Sequence, residues 1–210
     1  MAIPNRDLGS VVTEMAEVIL ANKAWLSELD GRIGDGDHGA NMAKGFARAA
    51  DRVAGQTLTL DAAFAVLSDV LMGEIGGSMG PLYGVMFDDM AQALAGRDAI
   101  DTSAVAEMLA AALAGVQAMG DARVGDKTMI DTLAPAVTAF GAAQDQGLAV
   151  ALAKMVAAAE TGRDSTIGLV ARKGRSSRLG ERSRGMLDAG AVSCCLILTT
   201  LARSLTKRLD

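Results

Sequence analysis

The sequence predicts an all-α domain, and three observations carry that prediction. Half of its 210 residues are hydrophobic but only 3% are aromatic. The interior must therefore be built from Ala, Leu, Val, Ile and Met, and small side chains of high helix propensity favour closely packed helices over a sheet. Apolar residues recur at helical spacing almost from end to end, with no strand–helix alternation and no internal repeat. Linkers are short, and no Pro- or Ser-rich break divides the chain, so residues 1–210 read as one domain with one core.

The elements follow in order. From Leu8 to Leu29, Val12, Met15, Ala16, Ile19, Leu20 and Leu26 fall at helical spacing and predict one long first helix. An Asp- and Gly-rich loop ends it, and a helix is expected from Gly39 to about Val53. Thr59-Leu60-Asp61 reads as an N-cap region before a helix over Ala62 to Glu74. Pro81 suits the first turn of the next helix, which runs to about Leu94. Asp101 or Thr102 caps a helix from Ser103 to Met119. Lys127 to Ala142 is helical with Pro135 as a kink point, and Leu148 to Thr161 follows with Ala-rich faces. A last segment, Gly190 to Arg208, carries Val192, Leu196, Ile197, Leu201 and Leu205. Beside a short piece around Ser165 to Arg172, these make an eight-helix domain.

Composition narrows the function. The net charge of −5 argues against a general nucleic-acid binder. Cysteine is limited to the neighbours Cys194 and Cys195, which suits a reducing cytoplasm. The first residues lack the apolar region of a signal peptide. The longest near-apolar run, Ala189 to Ala202, is shorter than the ~20 residues of a membrane span.

Chemistry concentrates in Asp30-Gly-Arg-Ile-Gly-Asp35-Gly-Asp37-His38-Gly39-Ala40-Asn41. Three carboxylates lie within eight residues, among glycines, and the only histidine follows at once. Two such charges roughly 4 Å apart repel by about 4 kcal/mol at an effective dielectric of about 20, and a bound cation reverses that sign. Oxygen-only ligands suit Mg²⁺ or Ca²⁺ rather than zinc, and Mg²⁺ so held keeps positions open for phosphate oxygens. The plain alternative is a turn rich in ordinary turn residues. An EF-hand is excluded, because position twelve falls on Asn41, Phe46 or Arg48 when the loop starts at Asp30, Asp35 or Asp37.

Two further loops stand out. Gly73-Glu-Ile-Gly76-Gly77-Ser78-Met79-Gly80-Pro81 feeds a helix N-terminus, which offers unpaired N–H groups to phosphate, or else is a tight helix–helix turn. It is no Walker A loop. Between Arg172 and Arg184, six basic residues accompany a single Glu. Guanidinium groups fork onto phosphate oxygens, while a solvated loop is the commoner outcome for such runs. His38 either bonds a neighbouring carboxylate or contacts phosphate, and Cys194 and Cys195 read as core.

Taken together, Ile33-Gly-Asp-Gly-Asp-His-Gly-Ala-Asn-Met42, Gly76-Gly-Ser-Met-Gly-Pro-Leu-Tyr-Gly84, Gly125-Asp-Lys-Thr-Met-Ile-Asp131 and Ala171-Arg-Lys-Gly-Arg-Ser-Ser-Arg-Leu-Gly-Glu-Arg-Ser183 resemble one family across the whole chain. It is the nucleotide-binding L subunit of dihydroxyacetone kinases, which also forms the C-terminal domain of single-chain dihydroxyacetone kinases. The resemblance implies an antiparallel eight-helix barrel with a nucleotide capping one end. It implies that Asp30, Asp35 and Asp37 hold two Mg²⁺ ions against the phosphates of ADP or ATP. His38, Gly39, Ala40 and Asn41 would run along the phosphates, and Ser78 and Met79 would offer backbone donors. Gly120 and Met129 would border the adenine, Arg175 would reach a phosphate, and Asp188, Ala189 and Gly190 would close over the nucleotide. Asp30, Asp35, Asp37 and His38 are thus the expected catalytic group.

The chain departs from the family where Met79 replaces a frequent Ser, and where Gly185-Met-Leu-Asp-Ala-Gly-Ala191 lacks a His and a Pro, which leaves that lid less rigid. In this family the ketone binds a histidine of a separate K subunit. The one histidine here sits in the metal motif, so the resemblance implies half of an enzyme that docks on a K subunit. Its other implied partners are a phosphotransferase-system phosphoryl donor and a second copy in a homodimer, with no nucleic acid and no membrane. ATP either donates and leaves, or ADP stays bound and is rephosphorylated in place. A kinase subunit for another small sugar such as a tetrose, a regulatory nucleotide-binding module, and a lipid carrier using the barrel interior are the alternatives.

Overall fold

The structure, a computed structural model, describes residues 2–209. Its helices are α1 (Ser10–Ala21), α2 (Lys23–Ile33), α3 (His38–Val53), α4 (Leu60–Glu74), α5 (Met79–Leu94), α6 (Thr102–Gly120), α7 (Ile130–Ala143), α8 (Leu148–Ser165) and α9 (Ala189–Thr206). Two-residue strands β1 (Ile3–Pro4) and β2 (Ala99–Ile100) pair antiparallel, with Ile3 opposite Ile100.

Eight of these helices close a ring. α1 packs on α3, and α3 through α9 each pack on the next until α9 returns to α1. α2 stands outside the wall, against α3 and α9. The expected eight-helix barrel is therefore present, with one helix more than periodicity counted. The extra helix arises because the expected run from Leu8 to Leu29 breaks at Asn22 (φ −102°, ψ 6°). The Asn22 side chain donates to the Val18 carbonyl at 2.8 Å, offering the backbone a local alternative to the helix. That break lets α2 leave the wall.

Other boundaries have local causes. Thr59 and Asp101 accept from the amides of Ala62 and Ala104 as the sequence predicts, and Asp188 does the same for Ala191. α7 starts at Ile130 rather than Lys127, because Gly125 (φ 98°) and Lys127 (φ 62°) take left-handed conformations. α7 runs through Pro135, whose missing N–H frees the Asp131 carbonyl. α8 passes so close to that carbonyl that a Cβ on Gly162 would collide with it. The short helix expected around Ser165 to Arg172 is only a 3-10 turn, Thr166–Gly168, while the basic stretch carries a 3-10 segment, Arg175–Ser183.

The interior is filled by side chains. Phe46 meets Phe87 edge-on at 6.0 Å and Phe64 lies 5.3 Å from Phe87. Met15, Met42, Met86, Met90, Met108 and Met155, all buried, fill the remaining irregular space. α6 and α9 are long and apolar enough to cross a membrane on composition alone, but both are staves of the barrel.

The ring has two distinct ends. α3, α5, α7 and α9 begin at one of them, where α2, α4, α6 and α8 finish. The other end is clasped by the β-pair and by buried Asn5, which bonds the Arg97 carbonyl, the Asp61 carboxylate and the Leu60 amide.

Candidate functional site

Asp30 lies in the last turn of α2, and the turn through Gly34 and Gly36 (φ 77°) returns the chain so that Asp35 and Asp37 lead into α3. One carboxylate oxygen from each of Asp30, Asp35 and Asp37 lies within 4.8 Å of the others. Asp30 also accepts from the His38 amide at 3.2 Å, reaching across the loop to cap α3. Gly39 makes the geometry possible, since a Cβ there would collide with the Lys23 carbonyl and the Ser27 amide nitrogen. The nearest cation is Arg175, whose guanidinium contacts Asp35 and stands 3.9 Å from Asp37.

The acids edge an open cleft of about 640 Å³ at the end where four helices begin. Helix starts present free N–H groups and the positive ends of their dipoles, so this end attracts anions. At α5 the N-cap residue Ser78 makes no side-chain capping bond. The opposite side is apolar, with Leu82, Val116, Met119, Met129 and Ile130 in the lining. A charged, anion-seeking half thus faces a half that suits a flat apolar ring.

Below the mouth, His38 Nε2 lies 2.9 Å from Ser193 Oγ, which lies 2.7 Å from Tyr83 Oη. Burial pulls the His38 imidazole down to about 4, with Asp30 acting against that. The ring is therefore neutral near pH 7.

Of the residues singled out from the sequence, Asp30, Asp35, Asp37, His38, Asn41, Ser78, Met79, Gly120, Met129, Arg175, Asp188, Ala189 and Gly190 line the cleft. Gly39 and Ala40 are not in its lining: Gly39 is buried against α2 and Ala40 is exposed. Of the six basic residues between 172 and 184, Lys173, Arg175 and Arg178 reach the cleft.

This geometry joins an acidic cluster, a basic arm and a ring of helix starts at one mouth. Residues 32–203 match the DAK2 domain family. The chain belongs to the DAK2 family. It is 34% identical to the PEP-dependent dihydroxyacetone kinase, ADP-binding subunit DhaL, of Escherichia coli (strain K12), over 96% of this chain and 98% of that one. It is 39% identical to the PTS-dependent dihydroxyacetone kinase, ADP-binding subunit DhaL, of Lactococcus lactis, over 88% of this chain and 90% of that one. Among solved structures it is similar to the dihydroxyacetone kinase from C. freundii in complex with AMP-PNP and Mg²⁺ (TM-score 0.72, 28% identity, 94% of this chain and 33% of that one).

In the segment Gly125–Asp131 of this DAK2 chain, the sequence singles out Met129 alone for a role. The structure shows more. Asp131 is buried and accepts from the amides of Gly125 (2.6 Å) and Thr128 (2.7 Å). Lys127 is buried, lines the cleft, and donates through Nζ to the carbonyls of Thr166 and Met186. It ties the end of α8 to the start of α9. The same lid is held by Gly185 N–H on the Ile167 carbonyl (2.8 Å) and Asp188 N–H on Thr166 Oγ1 (3.1 Å). The segment from Gly185 to Asp188 is thus anchored from below. Burial pushes the Asp188 carboxyl up to about 6, against the pull of the Ala191 amide and of Lys127. Left-handed Gly125 and a charged Lys127 just ahead of a helix were the available signals. Ser193 and Tyr83 gave none, standing 155 and 110 positions from their partners.

Proposed function

We propose that this chain, as a single nucleotide-binding domain, is the ADP-binding L subunit of a dihydroxyacetone kinase. It is a phosphotransferase half that passes a phosphoryl group to a small ketose held on a separate K subunit. The observation that carries the reading is the three-carboxylate cluster set against converging helix starts, in a chain whose relatives of equal length are named ADP-binding subunits.

The donor set fits Mg²⁺. Three carboxylates offer hard oxygen ligands, and Arg175 already stands in for a cation between two of them. Asp30, Asp35 and Asp37 would hold two ions, which when bound neutralise phosphate charge and align the transferring group. The chain's own residues do the rest. The first turn of α5, with Ser78 and Met79, donates backbone N–H groups to phosphate oxygens. Asn41 and Arg175 border the same oxygens, His38 stays neutral beside the acids, and Gly120 and Met129 flank the base. Asp188 to Gly190 close the side, held by Lys127.

The names of the relatives, PEP-dependent and PTS-dependent, support a nucleotide that stays in place and is rephosphorylated by a phosphotransferase-system protein. Several large apolar side chains are exposed toward the same end. Trp25, Met72, Met119, Val124 and Ile167 are exposed there, on α2, at the ends of α4 and α6, and just beyond α6 and α8. The buried free thiols of Cys194 and Cys195 suit the cytoplasm.

Native mass spectrometry of the purified chain with ADP and Mg²⁺ tests the reading. A Mg²⁺-dependent ADP complex that Asp35→Asn abolishes is expected. Failure of the intact chain to bind ADP, or undiminished binding by the variant, removes the assignment.

A further inference from the structure

His38, Ser193 and Tyr83 come from α3, α9 and α5, and their polar atoms meet in a row. A neutral imidazole carries its proton on one nitrogen, and the partner of the held nitrogen selects which. Here the held nitrogen is Nε2, 2.9 Å from Ser193 Oγ.

The hydroxyls of Ser193 and Tyr83 have one proton each to give. Around them lie two backbone carbonyls, which only accept. Gly190 O is 3.0 Å from Tyr83 Oη and 3.1 Å from Ser193 Oγ, and Ala189 O is 3.0 Å from Ser193 Oγ. With Tyr83 giving to Gly190 O, Ser193 gives to Ala189 O, the i−4 contact usual for a helical serine, or to Tyr83 Oη. In both cases a Ser193 lone pair faces Nε2, and the ring must be the donor. Any order in which Ser193 gives to His38, whether Tyr83 gives to Gly190 O or to Ser193, forms one bond fewer among these groups.

We propose that Ser193 and Tyr83 are positioning residues that hold His38 as its Nε2–H tautomer, leaving Nδ1 bare as an acceptor. A bare Nδ1 is a poor partner for an unprotonated phosphate oxygen and a good one for a water that donates to it. Mg²⁺ held by carboxylates keeps several waters. With Mg²⁺ bound at Asp30, Asp35 and Asp37, a water on the metal would suit that nitrogen as a donor. That last step rests on the kinase-subunit reading above, whereas the tautomer does not.

The chain has a single histidine, so every imidazole signal of the ¹⁵N-labelled protein belongs to His38. A long-range ¹H–¹⁵N spectrum, recorded without nucleotide at about pH 8 to keep the ring neutral, should show a pyrrole-type Nε2 and a pyridine-type Nδ1. Ser193→Ala should give a mixture of tautomers, and Tyr83→Phe a smaller move the same way. A dominant Nδ1–H pattern, or an averaged mixture in the intact protein, overturns the proposal, and the intact protein decides this even if a variant fails to fold. In Mg²⁺-dependent ADP binding, Ser193→Ala should lose up to about tenfold, the lower bound for a change directly behind a metal's ligand. Unchanged binding would overturn the positioning role. An intact chain that shows the Nε2–H pattern yet binds no ADP would remove the kinase reading and leave the tautomer standing.

Discussion

The guanidinium of Arg175 rests on the carboxylate of Asp35, so a residue of the basic arm contacts the acidic cluster although 140 positions separate the pair. The arm and the cluster are therefore alternative partners for each other and for ligands. Arg175→Ala should strengthen binding of Mg²⁺ alone, by removing the competing cation. It should weaken ADP with Mg²⁺ by about tenfold, the worth of one charge-assisted hydrogen bond. Titration calorimetry with each ligand separately checks both signs, and a change of the same sign in both would contradict the exchange.

Gly39 is where α3 crosses α2. A methyl group there would meet the Lys23 carbonyl and the Ser27 amide nitrogen, both backbone and unable to give way cheaply. Gly39→Ala should cost about 1–3 kcal/mol and lower Tm by about 2–4 °C per kcal/mol. It should also weaken Mg²⁺ binding, because Asp30 lies on α2 and Asp37 is the N-cap residue of α3, the two helices being pushed apart. Calorimetric melting with and without Mg²⁺ measures the pair of effects.

Lys127 is a buried charge held by two carbonyls and faced by Asp188 and Asp131. Burial lowers its affinity for a proton, and those two acids raise it. Lys127→Met keeps the stem and removes the ties. We expect a loss of about 2–3 kcal/mol and faster amide exchange at Gly185 to Asp188, read by hydrogen exchange. Protection there equal to the parent protein's would show that the lid does not depend on this lysine.

Asp188 sets a pH signature. Its carboxyl is raised from 3.8 to about 6 in the folded state, so between those values the folded chain holds more protons than the unfolded one. Stability then falls as pH rises through that window, by up to about 3 kcal/mol. The cost is fully present above pH 6 and absent below about 3.8. Asp188→Asn keeps an oxygen to cap α9 and removes the charge. Its melting temperature should pull above the parent's as pH passes from 4 to 7, and parallel curves would refute the assignment.

The fold was largely legible because a barrel wall needs the same apolar stripe on every stave, and that stripe is periodic. Asn22 escaped notice because the stripe continues across it through Ile19 and Leu26, while the break depends on one side chain turning back to Val18. The start of α7 was misplaced because the composition of Lys127-Thr128-Met129 is helical while its backbone is not. The acids of the site were readable because all three lie in one loop. The tie of Lys127 to Thr166 and Met186, and the row from His38 to Tyr83, exist only once distant helices have met. No local pattern encodes them.

The closed ring also fixes where the chain can be extended. β1 and the last turn of α9 both lie at the end away from the cleft, where Arg208 reaches Ser10 at 2.7 Å and Glu14 at 3.2 Å. A tag, fluorophore or second module fused at either terminus would hang behind the molecule and leave the mouth clear. A surface-immobilised chain tethered by either terminus would present its mouth to whatever flows past.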